Sequence, residues 1–175
     1  MFVANLPSVV CIGGLDRQAL LHALRQQNIE LNRAAQDLFA DHRFSPSSAS
    51  TLIEISCWSV AELGLLAGAA TYDQLLARAL ERGLQECPLE LGPHLRLQFP
   101  DQLTDSDGGS ATRGYAPNGS ITVASHPLDA SDETPKGFYL RRIEGRLCLR
   151  GYWSSPDHLW SAGDLLVFSS TTSAV

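Results

Sequence analysis

The residues best suited to chemistry are the arginines and tyrosines of the segment GFYLRRIEGRLCLRGYW, residues 137–153. A guanidinium binds carboxylates and phosphates through paired hydrogen bonds, and arginine and tyrosine are both enriched at the energetic centres of protein interfaces. The segment has four arginines, although the chain of 175 residues is acidic, with 19 Asp and Glu against 13 Lys and Arg. Whether these arginines share one surface is therefore the first question.

The turn at Glu144–Gly145 answers it. A two-residue loop whose second residue is glycine is typical of a tight β-hairpin, and it predicts that Ile143 faces Arg146. Side chains of a strand alternate between two faces. One face, with Phe138 and three leucines, should pack on helices. The opposite face, called the Arg/Tyr face below, then carries Tyr139, Arg141, Ile143, Arg146, Cys148, Arg150 and Tyr152.

A further strand is predicted next to the hairpin. Residues 94–99, HLRLQF, alternate strictly between polar and apolar types, which indicates a strand with Arg96 on the Arg/Tyr face. Two interpretations of this face stay open. It is either the solvated side of a sheet, neutralised by acidic loops with Asp105, Asp107 and Asp129, or a binding surface for a protein partner or small acidic ligand. The candidate contact residues are Arg96, Tyr139, Arg141, Arg146, Arg150 and Tyr152.

A second group of residues can transfer protons. Glu90 and His94 flank a turn rich in proline and glycine, and His158 follows Asp157 in the loop before the last predicted strand. With an arginine to hold charge, they suit an enzyme acting on a phosphorylated or carboxylated small molecule, which is the alternative function. The structural interpretation is that Asp157 caps a turn and Trp160 anchors the loop in the core.

Other motifs give no site. DSDGG at 105–109 begins like a calcium loop, but the twelfth position is Ala116 instead of glutamate. The four cysteines are scattered without a C-x-x-C pair, which predicts reduced thiols in a cytoplasmic protein and neither metal nor cofactor.

The acidic charge disfavours nucleic acid as a partner. No apolar run reaches about 18 residues, and the N-terminus lacks the basic start of a signal peptide, so no membrane association is predicted.

The order of elements predicts an α+β fold with N-terminal helices packed on a mainly antiparallel sheet of four or five strands. Residues 1–43 form a helical N-terminal portion with two amphipathic helices in 15–40, and residues 51–170 form an α+β body; together they make one compact domain. The clearest helix is 72–82, which starts with a capping box of Thr71 and Gln74 and ends at Gly83. A short helix after residue 58 and strands at 51–58, 121–127 and 164–169 complete the prediction.

Several runs together resemble a known family. CPLELGPHLRLQF, GFYLRRIEGRLCLRGYW, LGLLAGAATY and the final DLLVF resemble a family of small bacterial proteins that has no assigned chemistry. The resemblance covers about residues 15–170 and implies no catalytic residue. The family pattern tends to have an aromatic residue where Cys148 stands, which implies an apolar environment for that thiol.

Overall fold

The structure is a computed structural model that describes residues 5–65, 69–103, 117 and 119–170. The acidic segment with Asp105, Asp107 and the DSDGG run lies outside the described residues. The elements, in chain order, are β1 (Val9–Ile12), α1 (Arg17–Gln26), β2 (Glu30–Leu31), α2 (Arg33–Ala40), β3 (Thr51–Ser59), β4 (Ala69–Ala70), α3 (Tyr72–Glu81), β5 (Leu84–Gln85), α4 (Leu91–Gln98), β6 (Ile121–Val123), β7 (Gly137–Ile143), β8 (Arg146–Tyr152), β9 (Trp160–Ser161) and β10 (Leu165–Ser170).

Most of the strands belong to one large mixed sheet, whose order is β1–β3–β10–β6–β7–β8–β2, with β5 also paired to β10. The β10–β6 and β2–β8 pairs are parallel and the others antiparallel. The α+β class is confirmed, but the prediction of four or five mainly antiparallel strands is wrong. The additional strands β1, β2 and β5 have only two to four residues, too few for a recognisable alternation.

Three helices follow directly from their local sequence. Asp16 caps α1 by accepting from Ala19 N, and Asn32 caps α2 by accepting from Ala35 N. Helix α3 has the predicted capping box, in which Thr71 and Gln74 bind each other's backbone N–H. The two N-terminal helices and the capped helix are therefore confirmed. The short helix predicted after β3 is wrong for residues 60–64, which form turns, and residues 66–68 lie outside the described part.

Helix α4 replaces the strand that was predicted for residues 94–99. Leu91, Leu95 and Phe99 recur every four residues and are all buried in the core. Pro93 is tolerated because it lies in the first turn, where backbone N–H groups have no partner within the helix. The polar residues His94 and Arg96 are buried as well, so the helix has no solvated face over its first six residues. The polar–apolar alternation therefore resulted from buried polar groups and not from a pleated strand.

Both faces of the sheet are covered by hydrophobic residues. On one face, residues of α1, α2 and α4 pack against the inner side of the hairpin, where Phe138, Leu140 and Leu149 are fully buried. On the other, residues of α3 pack around Leu166, Phe168 and Trp160, with Tyr152 at the margin. The predicted inward side of the hairpin and the anchoring role of Trp160 are confirmed. Within the described residues, no helix has the length and apolar content that crossing a bilayer requires.

Candidate functional site

The hairpin has the predicted register. Ile143 faces Arg146, Arg141 faces Cys148 and Tyr139 faces Arg150. Glu144 and Gly145 have φ angles of 49° and 81°, the left-handed conformations that a type I′ turn requires. The chain thus reverses over two residues without a bulge, and the residues of the Arg/Tyr face lie on one side of β7 and β8.

The residues of the Arg/Tyr face differ in their exposure to solvent. Cys148 is fully buried and Arg141 is 6% exposed, whereas Tyr139, Arg150 and Tyr152 are half-buried. Burial raises the pKa of the Cys148 thiol. The part of the face that can meet a partner therefore consists mainly of Arg150 and the two tyrosines beside it.

Two of the hairpin arginines have structural partners. Arg146 is exposed and forms an ion pair with Glu30 at 2.7 Å, across the parallel β8–β2 pair. Arg142 donates to the carbonyls of Gly145 and Gln102, each at 3.2 Å. These bonds close the turn and fix β2 and the segment after α4, so the turn end of the hairpin is largely structural.

Arg96 lies on a helix and not on a strand, so its predicted place on the Arg/Tyr face is wrong. As a residue of α4 it is fully buried, and its guanidinium donates to the carbonyl of Phe99 and to Gln102 Oε1, the latter at 2.5 Å. The Gln102 amide in turn donates to the carbonyl of Leu140 at 3.2 Å. Burial lowers the pKa of Arg96 to about 10. Arg96 thus ties the end of α4 to β7 and is not a contact residue.

Arg150 is the arginine of the face best placed to bind an anion. It faces Tyr139 across the ladder, and Tyr152 follows it by two positions, with the two tyrosine rings 6.4 Å apart. Its Nε is buried without a hydrogen-bond partner, and it forms no ion pair within the described ranges. Asp129, one of the acids expected to neutralise the hairpin, instead binds Arg43 at 2.6 Å.

Of the three alternative catalytic residues, Glu90 and His94 lie close together and His158 does not join them. Glu90 and His94 are both buried, with Nε2 of His94 3.8 Å from Oε2 of Glu90. His94 Nε2 accepts from Gly13 N at 3.1 Å, and both Glu90 oxygens accept from Ser47 N. They therefore join the end of β1 and the loop before β3 to α4. His158 lies elsewhere, with its ring edge-on to Trp160 at 5.2 Å.

The structure also contains a chain of polar side chains that no sequence motif indicates. Tyr72 donates to Glu86 Oε1 at 2.9 Å, and Glu86 Oε2 lies 2.7 Å from Nδ1 of the exposed His126. Glu86 and His126 meet because Cys87 and Ser125 form an isolated parallel bridge. A single bridge produces no periodic pattern, so no sequence signal predicts this contact. Both residues line a cleft of about 490 Å³ beside β3.

Comparisons with known proteins give no functional assignment. No protein-family model matches the chain, and neither a curated protein nor a solved structure matches it. The resemblance to a family of small bacterial proteins stays a prediction. In the part of the chain that the structure describes, no three His, Cys, Asp or Glu side chains are grouped as metal ligands.

Proposed function

We propose that the protein is a binding module that recognises a carboxylate-bearing partner through the exposed part of the Arg/Tyr face. The observation that carries the proposal is the half-buried Arg150, which lies among two tyrosines and has no carboxylate partner within the described ranges. A guanidinium that is partly removed from water and lacks a counter-ion binds an incoming carboxylate with a larger gain than an exposed one.

The neighbours of Arg150 support this interpretation. Tyrosine rings supply apolar contact at low cost in side-chain entropy, and their hydroxyls add hydrogen bonds at the rim. Tyr139 faces Arg150 across the β7–β8 ladder and Tyr152 follows it by two positions, so both tyrosines are neighbours of Arg150 on the same face. Because the chain has a net charge of −6, attraction of an acidic group has to come from nearby cationic side chains.

The ligand is either an acidic segment of a protein partner or a small acidic molecule, since both present the same carboxylate. We place the interaction in the cytoplasm, as part of the proposal. Its support is that Cys11, Cys57, Cys87 and Cys148 are free thiols, which suits a reducing compartment.

The enzymatic alternative has less support. Glu90 and His94 already bind backbone amides, and His158 lies against Trp160. A general base has to come within hydrogen-bond reach of the substrate, and Glu90 and His94 are only 6% and 4% exposed.

The test is a calorimetric titration with a short glutamate-rich peptide and, separately, with citrate. Binding of the peptide alone identifies a protein segment as the ligand, and binding of citrate alone identifies a small acid. We expect Arg150→Ser to weaken binding at least tenfold. The control is Arg25→Ser, the same charge change at an exposed site in the last turn of α1. If Arg150→Ser binds like wild type, or if neither probe binds, the proposal is wrong.

A further inference from the structure

A second cleft, of about 310 Å³, lies beside the Arg/Tyr face. Three aromatic side chains line it, those of Tyr72, Tyr152 and Trp160. Trp160 is in contact with both tyrosines, with ring centroids 6.2 Å from Tyr72 and 6.0 Å from Tyr152. A cleft of this size lies at the lower end of the range of ligand pockets, about 300–1,000 Å³.

Two buried polar atoms in this wall have no hydrogen-bond partner. They are Nε1 of Trp160, which is 4% exposed, and Oγ of Ser125, which is 2% exposed. A buried donor left unpaired costs about 1–3 kcal/mol, so either atom would gain from a ligand that offers it an acceptor. The other tryptophans are satisfied, because Trp58 donates to Ser56 Oγ at 2.9 Å and Trp153 to the carbonyl of Glu133 at 3.2 Å.

A positive charge lies at the rim of the same cleft. Lys136 lines it, and its ammonium group is held by the carbonyls of Ser131 and Asp129 at 2.7 Å and 3.5 Å. An ammonium group has three hydrogens, so one is left for a ligand. The carboxylate of Asp73 also lines the rim but is exposed, and water screens it more than the half-buried lysine.

We propose that this cleft binds a small aromatic carboxylic acid. Its ring packs against Tyr72, Tyr152 and Trp160, and its carboxylate accepts from Trp160 Nε1, from Ser125 Oγ and from Lys136. Because the two wall atoms are enclosed, the ligand reaches them by displacing side chains of the wall slightly. This site goes beyond the proposed acid-binding surface, because it does not use Arg150.

A cationic aromatic ligand fits the cleft less well than an aromatic carboxylate. Aromatic walls also bind quaternary ammonium groups through the faces of their rings. Such a cation has no acceptor, however, so it leaves Trp160 Nε1 and Ser125 Oγ unpaired and meets the repulsion of Lys136. The benzoate anion and the benzyltrimethylammonium cation are therefore the two probes that separate these possibilities.

The experiment follows the three indole N–H signals in proton–nitrogen correlation spectra, with the Trp160 signal assigned from its absence in Trp160→Phe. Benzoate is expected to move the Trp160 proton downfield as it gains an acceptor, while the Trp58 and Trp153 signals stay in place as internal controls. Benzyltrimethylammonium is expected to cause no change. Absence of a benzoate effect, movement of all three signals alike, or a response to the cation alone overturns the proposal.

Variants separate binding from folding. Ser125→Ala removes a hydroxyl that has no partner, so we expect unchanged or higher stability together with at least fivefold weaker benzoate binding. Lys136→Met should also weaken benzoate binding at least fivefold, while Arg150→Ser should leave benzoate binding unchanged. If Ser125→Ala keeps the wild-type affinity, the cleft is not the site. If Arg150→Ser abolishes benzoate binding, benzoate occupies the Arg/Tyr face instead.

Discussion

Asn32 and Gly151, 119 residues apart, are joined by two hydrogen bonds between one side-chain amide and one residue's backbone. Gly151 N donates to Asn32 Oδ1 at 2.8 Å, and Asn32 Nδ2 donates to the carbonyl of Gly151 at 2.9 Å. The contact requires glycine, because a Cβ at Gly151 would lie 2.6 Å from the backbone carbon of Ala34. Helix α2 is thereby fixed onto β8, the strand that carries Arg150.

We expect Asn32→Ala to lower the free energy of unfolding by about 2–4 kcal/mol, because it removes the α2 cap and leaves both backbone groups of Gly151 unpaired. The matched control is Asp16→Ala, which removes the cap of α1 alone and should cost about 1 kcal/mol. Urea unfolding of both variants measures the difference. Equal costs would show that the bonds to Gly151 contribute nothing.

The turn of the hairpin gives a prediction of increased stability. Glu144 adopts a φ of 49°, which asparagine tolerates better than glutamate. Glu144→Asn should therefore raise the free energy of unfolding by about 0.5–1 kcal/mol. Glu133→Asn, the same change in another exposed turn without a positive φ, serves as the control. A gain of equal size in both variants would indicate a general charge effect.

The hairpin could be predicted because its determinants are local. The glycine at 145 fixes the turn, and alternation along β7 and β8 then fixes the face of every side chain. Helix α3 was equally predictable, since Thr71 and Gln74 carry its capping box within four residues. Where residues close in sequence determine the structure, the sequence pattern was sufficient to predict it.

The candidate site could be predicted only in part, because burial and ion pairing depend on distant segments. Arg96 and His94 are polar residues of a helix that is enclosed by the sheet and by α1, so their alternation with leucines indicated a strand. The partner of Arg146 is Glu30 on β2, a two-residue strand without a pattern of its own. The aromatic cleft likewise combines α3, the hairpin and the loop before β9.

The free energy of unfolding should decrease as the pH is lowered, because of His94. Burial lowers the pKa of this imidazole below its ordinary value of 6.5, and the carboxylate of Glu90 opposes the shift only in part. The unfolded chain therefore binds more protons than the folded chain below about pH 7, and stability is lost as the pH falls through 6.5 towards the folded value. Protonation would also remove the acceptor of Gly13 N.

The measurement is urea unfolding between about pH 7.5 and pH 5.5. Wild type should lose up to about 1.4 kcal/mol per pH unit more than His94→Gln, which lacks the titrating group. His22→Gln, at an exposed position of α1, should behave like wild type. A pH dependence of His94→Gln that equals that of wild type would contradict the assignment to His94.

The most direct test of the central claim is the Nε–Hε signal of Arg150 during titration with the glutamate-rich peptide, assigned from its loss in Arg150→Lys. This signal should move downfield and exchange more slowly with water as the carboxylate binds, while the signal of Arg25 should stay unchanged. If the peptide binds and the Arg150 signal does not move, the acidic group sits elsewhere and the proposed recognition surface is wrong.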